Sequence, residues 1–172
     1  EIIRISQEKL NLQKKIETKI KTAVNQILVS FNDLELISRL IDGRFPDYQQ
    51  IIPQKFETEI VLEKEELIRA IKIASFFASK TYEIKLKVSV QKSQVEVLTQ
   101  SPDLGENQSQ IKALQIKGKN LEINFNYKYL LDGLNNIEDK KIILNLNHSD
   151  SPALLKPQGN NDYLYLIMPI KG

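Results

Sequence analysis

A chain of 172 residues, 41% hydrophobic and 27% charged, is long enough to bury a core in one full domain and part of a second. With 24 basic against 22 acidic residues the net charge is only +2, which disfavours a tight grip on nucleic acid through many phosphates and leaves loose, transient contact open. The absence of cysteine excludes disulfides, thiolate zinc sites and cysteine nucleophiles, and it fits a reducing cytoplasm.

No apolar run approaches the ~18 residues of a membrane span. The opening Glu1-Ile2-Ile3-Arg4 has neither an initiator methionine nor the pattern of a signal peptide, so the chain reads as a fragment. Ile2, Ile3 and Ile5 suggest the end of an apolar helix face. Alternating segments follow over residues 16–23, 27–31 and 34–40, the period of half-buried strands. They hold most of one copy of a pattern that recurs twice further on, without its leading strand. The segment Phe45-Pro46-Asp47-Tyr48-Gln49-Gln50-Ile51-Ile52-Pro53 then reads as a link, bracketed by prolines that disfavour helix. The expected division is therefore residues 1–53, a partial domain with its link, and residues 54–172, a complete domain.

Ile60-Val61-Leu62 is a short apolar stretch running into a helix predicted to reach Ser79. Leu67, Ala70, Ile71, Ala74 and Ala78 share one helical face, and Glu65, Arg69 and Lys72 lie opposite. Glu63, Glu65 and Glu66 fall in the first turn, where negative charge favours the helix N-terminus. Ile84, Leu86, Val88 and Val90 alternate with Lys85, Lys87 and Ser89, a strand with one wet face. Val95 and Val97 begin a second strand after a turn at Lys92-Ser93. A polar loop over residues 101–109 leads to a third strand at 111–117.

The order then restarts. Gly118-Lys119-Asn120 is a turn signal. Leu121, Ile123 and Phe125 alternate as a strand, and Asn126 suits the N-cap of a helix with Leu130, Leu134 and Ile137 on one face. Strands are expected at residues 142–146, 153–156 and 163–168. Strand-helix-strand-strand-strand thus occurs twice. Two such units joined sheet edge to sheet edge, helices on one face, predict an α+β domain.

Catalytic chemistry finds little support. His148 stands in Asn147-His148-Ser149-Asp150-Ser151, but Ser-His-Asp triads are assembled from residues far apart in sequence. A solvated turn explains that stretch better. One histidine disfavours a histidine-based metal site, the six glycines form no phosphate loop, and Glu65-Glu66, Asp103 and Glu106 read as solvated charges. Neither a cofactor nor a metal is implied, and no enzymatic role.

Several segments carry a resemblance. Ser38-Arg39-Leu40-Ile41-Asp42-Gly43-Arg44-Phe45-Pro46-Asp47-Tyr48, followed by Ile51-Ile52-Pro53, resembles the link between the second and third domains of bacterial DNA sliding clamps, the beta subunit of DNA polymerase III. Phe125-Asn126-Tyr127-Lys128-Tyr129-Leu130-Leu131-Asp132 resembles the start of the last helix of that family's third domain. Ser151-Pro152-Ala153-Leu154-Leu155-Lys156-Pro157 and the ending from Asp162 to Lys171 resemble its final strands and tail. The likeness spans essentially the whole chain, most closely from residue 34 onward.

The resemblance implies the DNA-clamp fold, with residues 1–53 as the C-terminal half of the second domain plus link and 54–172 as the third domain. It implies a cytoplasmic, bacterial replication processivity factor: a homodimeric ring around duplex DNA, without sequence specificity. Through short apolar peptide motifs such a ring holds DNA polymerase III, clamp-loader subunits, other polymerases and repair proteins. The alternative is a truncated clamp-like adaptor that binds partner peptides without encircling DNA. The implied peptide pocket takes Pro46 and Ile51 from the link, Asn126 and Tyr129 from the last helix, and Leu166, Ile167, Met168, Pro169, Ile170 and Lys171 from the tail. Leu166, Ile167 and Met168 would equally suit an ordinary core strand, so Met168-Pro169-Ile170 are the ones expected to face the pocket. Methionine is adaptable, which suits a surface receiving several partners. Two buried peptide side chains at roughly 1.5–3 kcal/mol each, less ordering costs, predict about micromolar binding. Arg69, Lys72 and Lys128 are the DNA-facing candidates, although charged helix faces are ordinarily just solvated. Phe76 or Phe77, at the end of the preceding helix, is the subunit-interface candidate, with packing on the following loop as the plain alternative. Gln50 stands where a basic residue is common in the family, and the family's Gly-His-Arg stretch is absent.

Overall fold

The computed structural model describes residues 17–44, 47–159 and 163–171; the predicted helix face at Ile2, Ile3 and Ile5 lies outside them. The chain divides into two units, residues 1–46 and 47–172. In the first, strands β1 (Thr18–Thr22), β2 (Gln26–Phe31) and β3 (Leu34–Arg39) form an antiparallel three-stranded sheet in sequence order. Ile20 pairs with Val29 and Leu36 with Val29 on the other side, so these three side chains share a face. Val29 and Phe31 are buried, whereas Ile20 is 63% exposed.

The second unit begins with a surprise in the link. Asp47 caps a single helical turn, α1 (Tyr48–Ile51), its carboxylate accepting from Gln49 N (3.3 Å) and from the Gln50 amide (2.9 Å). Proline does disfavour helix at the residue before it, and Ile52, which precedes Pro53, is indeed extended. A turn placed after one proline and stopped before the next escapes the rule.

The two repeats are present. The first runs β4 (Thr58–Glu63), α2 (Lys64–Ser75), β5 (Glu83–Ser89), β6 (Gln94–Ser101), β7 (Gly105–Lys112) and β8 (Gln115–Lys117). The second runs β9 (Leu121–Asn126), α3 (Tyr127–Asn135), β10 (Lys141–Leu146), β11 (Ala153–Pro157) and β12 (Tyr165–Ile167). Their sheets, however, are not simply joined at their edges. The leading strands are exchanged: β4 pairs with β10 and β9 pairs with β5, both antiparallel. Among the described residues this gives a five-stranded sheet, β12-β11-β10-β4-β8, and a four-stranded sheet, β7-β6-β5-β9. The five-stranded sheet thus takes β4 and β8 from the first repeat, and the four-stranded sheet takes β9 from the second. One core of fully buried side chains, including Ile60, Leu67, Ile71, Leu86, Phe125, Leu134 and Leu144, unites both helices and both sheets.

Five boundaries differ from the sequence reading. α3 ends at Asn135, so Ile137 lies beyond it, although it is still buried in the core. α2 stops at Ser75, before Ala78, where the buried Thr99 hydroxyl donates to the Ala74 carbonyl and satisfies one C-terminal acceptor (3.0 Å). The stretch at 101–109 is not all loop: after the turn Pro102-Asp103-Leu104, residues from Gly105 pair with β6. That edge strand, Gly105-Glu106-Asn107-Gln108-Ser109-Gln110, is polar on both faces, so hydrophobic alternation is blind to it. The strand expected at 111–117 is two, broken where the chain crosses between sheets and Leu114 N donates to Val61 O (2.9 Å). The last strand is shorter than residues 163–168. The turn at Gly118 is as expected and requires glycine: its φ is +119°, and a Cβ there would lie 1.9 Å from Glu57 O.

Candidate functional site

Three features of the larger unit frame α3. The first is the cap. The Asn126 side chain accepts from Lys128 N (3.0 Å), ending β9 and beginning the helix without an intervening loop. One turn on, Leu130, Gly133 and Leu134 point into the core, and Tyr129 is 55% exposed. The second is β12, paired with β11 through Leu154↔Leu166 and Ala153↔Ile167. The third is the tail, which leaves β12 and reaches β9, where Ile170 N donates to Asn124 O (2.8 Å). That bond ties the chain end two residues before the Asn126 cap. Met168 and Pro169 span the interval, Met168 at 55% exposure.

Strand alternation sorts the tail. Ile167 is 3% exposed and belongs to the core, which corrects its assignment to a pocket wall. Its neighbours in the strand point to the opposite face by the period of two. Leu166 is half-buried opposite Leu154. Met168, Pro169, Ile170 and Lys171 lie beyond the strand, with Pro169 and Ile170 half-buried and Lys171 exposed. Ile51, on α1, is exposed; Pro46 lies outside the described residues.

Two residues that the sequence did not single out hold this arrangement. Tyr165 lies flat on α3 over Gly133, so closely that a Cβ at Gly133 would come within 2.6 Å of the ring. Tyr163 donates its hydroxyl to Gly133 O (3.2 Å). An isolated glycine inside a helical pattern was the available signal for this contact. Burial raises the pKa of both phenols above the ordinary tyrosine value. For Tyr165 the charges of Asp132 and then Tyr129 add to the shift. Tyr165 thus covers Gly133, while Tyr129 on the same helix and Met168 in the tail remain exposed.

The remaining candidates lie elsewhere. Arg69 and Lys72 are exposed on α2. The Lys128 ammonium sits 3.4 Å from the centroid of the Tyr82 ring, so its charge is engaged within the chain. Phe76 is 77% exposed and forms with Ile73, one turn earlier and 43% exposed, an apolar strip on α2. Phe77 is half-buried and turns toward Gly105 at the start of β7. His148 is exposed and faces Glu57 at 4.0 Å rather than a serine, and Ser151 Oγ bonds Asp150. Among the described residues no helix is long and apolar enough to cross a membrane, and no group of three or more acidic, histidine or cysteine side chains is placed to hold a metal ion.

Comparison with known proteins agrees with the geometry. A family profile described as DNA polymerase III beta subunit, C-terminal domain, matches residues 49–171. A beta sliding clamp of Staphylococcus aureus is 31% identical over 149 residues, covering 87% of this chain and 40% of the relative. Among solved structures, a sliding clamp from Bacillus subtilis superposes with a TM-score of 0.78 at 30% identity, covering 90% of this chain and 41% of that one. A Pseudomonas aeruginosa sliding clamp solved with griselimycin bound gives 0.79 at 27% identity, covering 97% and 45%. The chain thus spans about two fifths of the length of these relatives. With most of its length matched in sequence and the fold shared, the chain belongs to the DNA polymerase III beta subunit family, the bacterial sliding clamps, and contains that family's C-terminal domain.

Proposed function

We propose that this chain is part of a non-catalytic processivity clamp that encircles duplex DNA in the bacterial cytoplasm and docks polymerases and repair proteins through short apolar peptides. Residues 54–172 are the third clamp domain, and residues 1–53 supply the end of the second with its link. The docking surface is Asn126, Tyr129, Leu166, Met168, Pro169, Ile170 and Lys171, with Ile51 contributed by the link. The observation that carries this reading is the Ile170–Asn124 backbone bond (2.8 Å), which fixes the tail beside the capped start of α3 and leaves Tyr129 and Met168 both about half exposed. Exposed aromatic and methionine side chains held on fixed backbone form a surface that apolar anchors of different shape can pack against. Arg69 and Lys72 face the DNA, engaging it loosely, in keeping with a net charge of +2. The exposed Phe76, with Ile73, lies at the interface with the second subunit of the ring.

The test is fluorescence anisotropy of a labelled peptide carrying Gln-Leu-x-Leu-Phe, titrated with this chain and with Tyr129→Ala and Met168→Ala variants. Saturable binding of about micromolar strength, weakened by both substitutions, is expected. No binding by a chain shown to be folded would sink the docking assignment for this half of the clamp.

A further inference from the structure

Tyr82 lies in the connection between α2 and β5, and it is held in a conformation that a bulky side chain rarely adopts, with φ of +59°. A residue at positive φ persists only where its surroundings over-determine it. Here the connection supplies the constraint: Tyr82 N donates to Ser79 O (3.0 Å), and the Ser79 and Thr81 hydroxyls bond each other at 2.6 Å. The outcome is that Tyr82 makes three contacts with the first turn of α3. Its carbonyl accepts from Tyr127 N (2.9 Å). Its ring meets the Tyr127 ring edge-on, with centroids 5.9 Å apart at 83°. The Lys128 ammonium rests on its face at 3.4 Å. Those two residues, Tyr127 and Lys128, are the ones between the Asn126 cap and Tyr129.

We infer that Tyr82 is a positioning residue of the docking surface: its ring, gripped by Lys128 and Tyr127, fixes the first turn of α3 and thereby the direction in which Tyr129 is presented. This rests on the docking reading above. An N-terminal helical turn is stabilised by its cap alone only weakly, since the first amides lack intrahelical partners and the turn frays. A cation held on an aromatic face, together with an edge-on ring pair, restrains two consecutive side chains of that turn from outside the helix. The neighbouring strand pair Glu83↔Asn126 carries the restraint directly into the cap.

The experiment pairs disruptive with conservative variants and reads position apart from binding. Tyr82→Asn keeps a residue that tolerates positive φ but removes the ring, and Tyr82→Phe keeps the ring. Lys128→Met keeps the stem without the cation, and Lys128→Arg keeps a cation. Amide and ring NMR signals of Tyr129 in the 172-residue chain report its position, and anisotropy with the Gln-Leu-x-Leu-Phe peptide reports docking. Tyr82→Asn and Lys128→Met are expected to shift the Tyr129 signals and to weaken the peptide roughly two- to fivefold each. The double variant should be no weaker than the stronger single one, because both remove the same contact. Tyr82→Phe and Lys128→Arg should behave as wild type in both readouts. Unmoved Tyr129 signals in Tyr82→Asn would overturn the inference, as would Tyr82→Phe behaving like Tyr82→Asn. If the wild-type chain binds no peptide, the docking reading fails by itself, and the Tyr129 signals still decide whether Tyr82 positions the turn.

Discussion

The two helices of the larger unit occupy the same place in their repeats, yet they begin and pack differently. α2 starts at Glu63 with no side-chain cap, carries Glu65 and Glu66 in its first turn, and buries Leu67, Ile68, Ala70, Ile71 and Ala74. α3 starts at Asn126, which does cap it, has no acid in its first turn, and buries Leu130, Gly133 and Leu134. Charge at the N-terminus and a broad buried face hold α2, whereas α3 is held by its amide cap, by Tyr82 against its first turn and by the close seat of Tyr165 over Gly133. The repeat fixes where a helix must lie. What distinguishes the second copy, and carries the docking surface proposed above, is a set of residues the repeat does not require: Asn126, Tyr129, Gly133 and the tail.

Gly133→Ala should break that asymmetry most severely. The new methyl group would meet the Tyr165 ring at 2.6 Å, near its root rather than at a mobile tip, so the ring must swing off α3. Overpacking of this kind costs about 1–3 kcal/mol, offset by up to about 1 kcal/mol of better helix propensity. Urea denaturation should therefore show a net loss. Stability equal to wild type would mean that Tyr165 moves aside freely and that the two helices are seated alike.

A smaller contrast isolates the caps. Asn126→Ala removes the acceptor for Lys128 N and should cost about 0.5–2 kcal/mol. Glu63→Ala removes no side-chain cap bond and should cost at most the few tenths of a kcal/mol that a charge near a helix N-terminus contributes. The same urea titrations compare them. Equal losses would show that the acidic start of α2 and the amide cap of α3 are interchangeable.

Much of this was legible in the sequence, and the failures have a common cause. The helix faces through Leu67, Ala70, Ile71 and Ala74 and through Leu130 and Leu134 follow from local periodicity, and so does the Asn126 cap. Strand exchange does not, because β4 pairs with β10 some eighty residues on, and local pattern carries no information about partners. The polar β7 was hidden because its pairing with β6 rests on backbone bonds rather than on an apolar face. Ile167 enters the pocket only by resemblance, and the alternative of a core strand is the one its burial supports. Tyr82 gave no sign at all: its role comes from a left-handed backbone and a contact forty-six residues away with Lys128.

The mildest test of the comparison is alkaline pH, since Tyr163 and Tyr165 both meet α3 at Gly133. Burial raises both phenols above their unfolded pKa, with Tyr165 raising Tyr163, and with Asp132 and Tyr129 raising Tyr165. A raised pKa means that the native state holds these protons after the unfolded chain has released them. The stability they contribute is thus fully present below about pH 10 and is lost as pH rises through the folded values. Both side chains remain partly solvated, so the effect is modest. Urea midpoints measured from about pH 8 to pH 11 should fall more steeply for the wild type than for a Tyr163→Phe/Tyr165→Phe variant. That variant loses the hydroxyl bond to Gly133 at every pH, so its curve starts lower and only the slopes are to be compared. Parallel slopes would mean that these phenols ionise as readily in the folded chain as in the unfolded one, and that Tyr165 lies open to water rather than seated on Gly133.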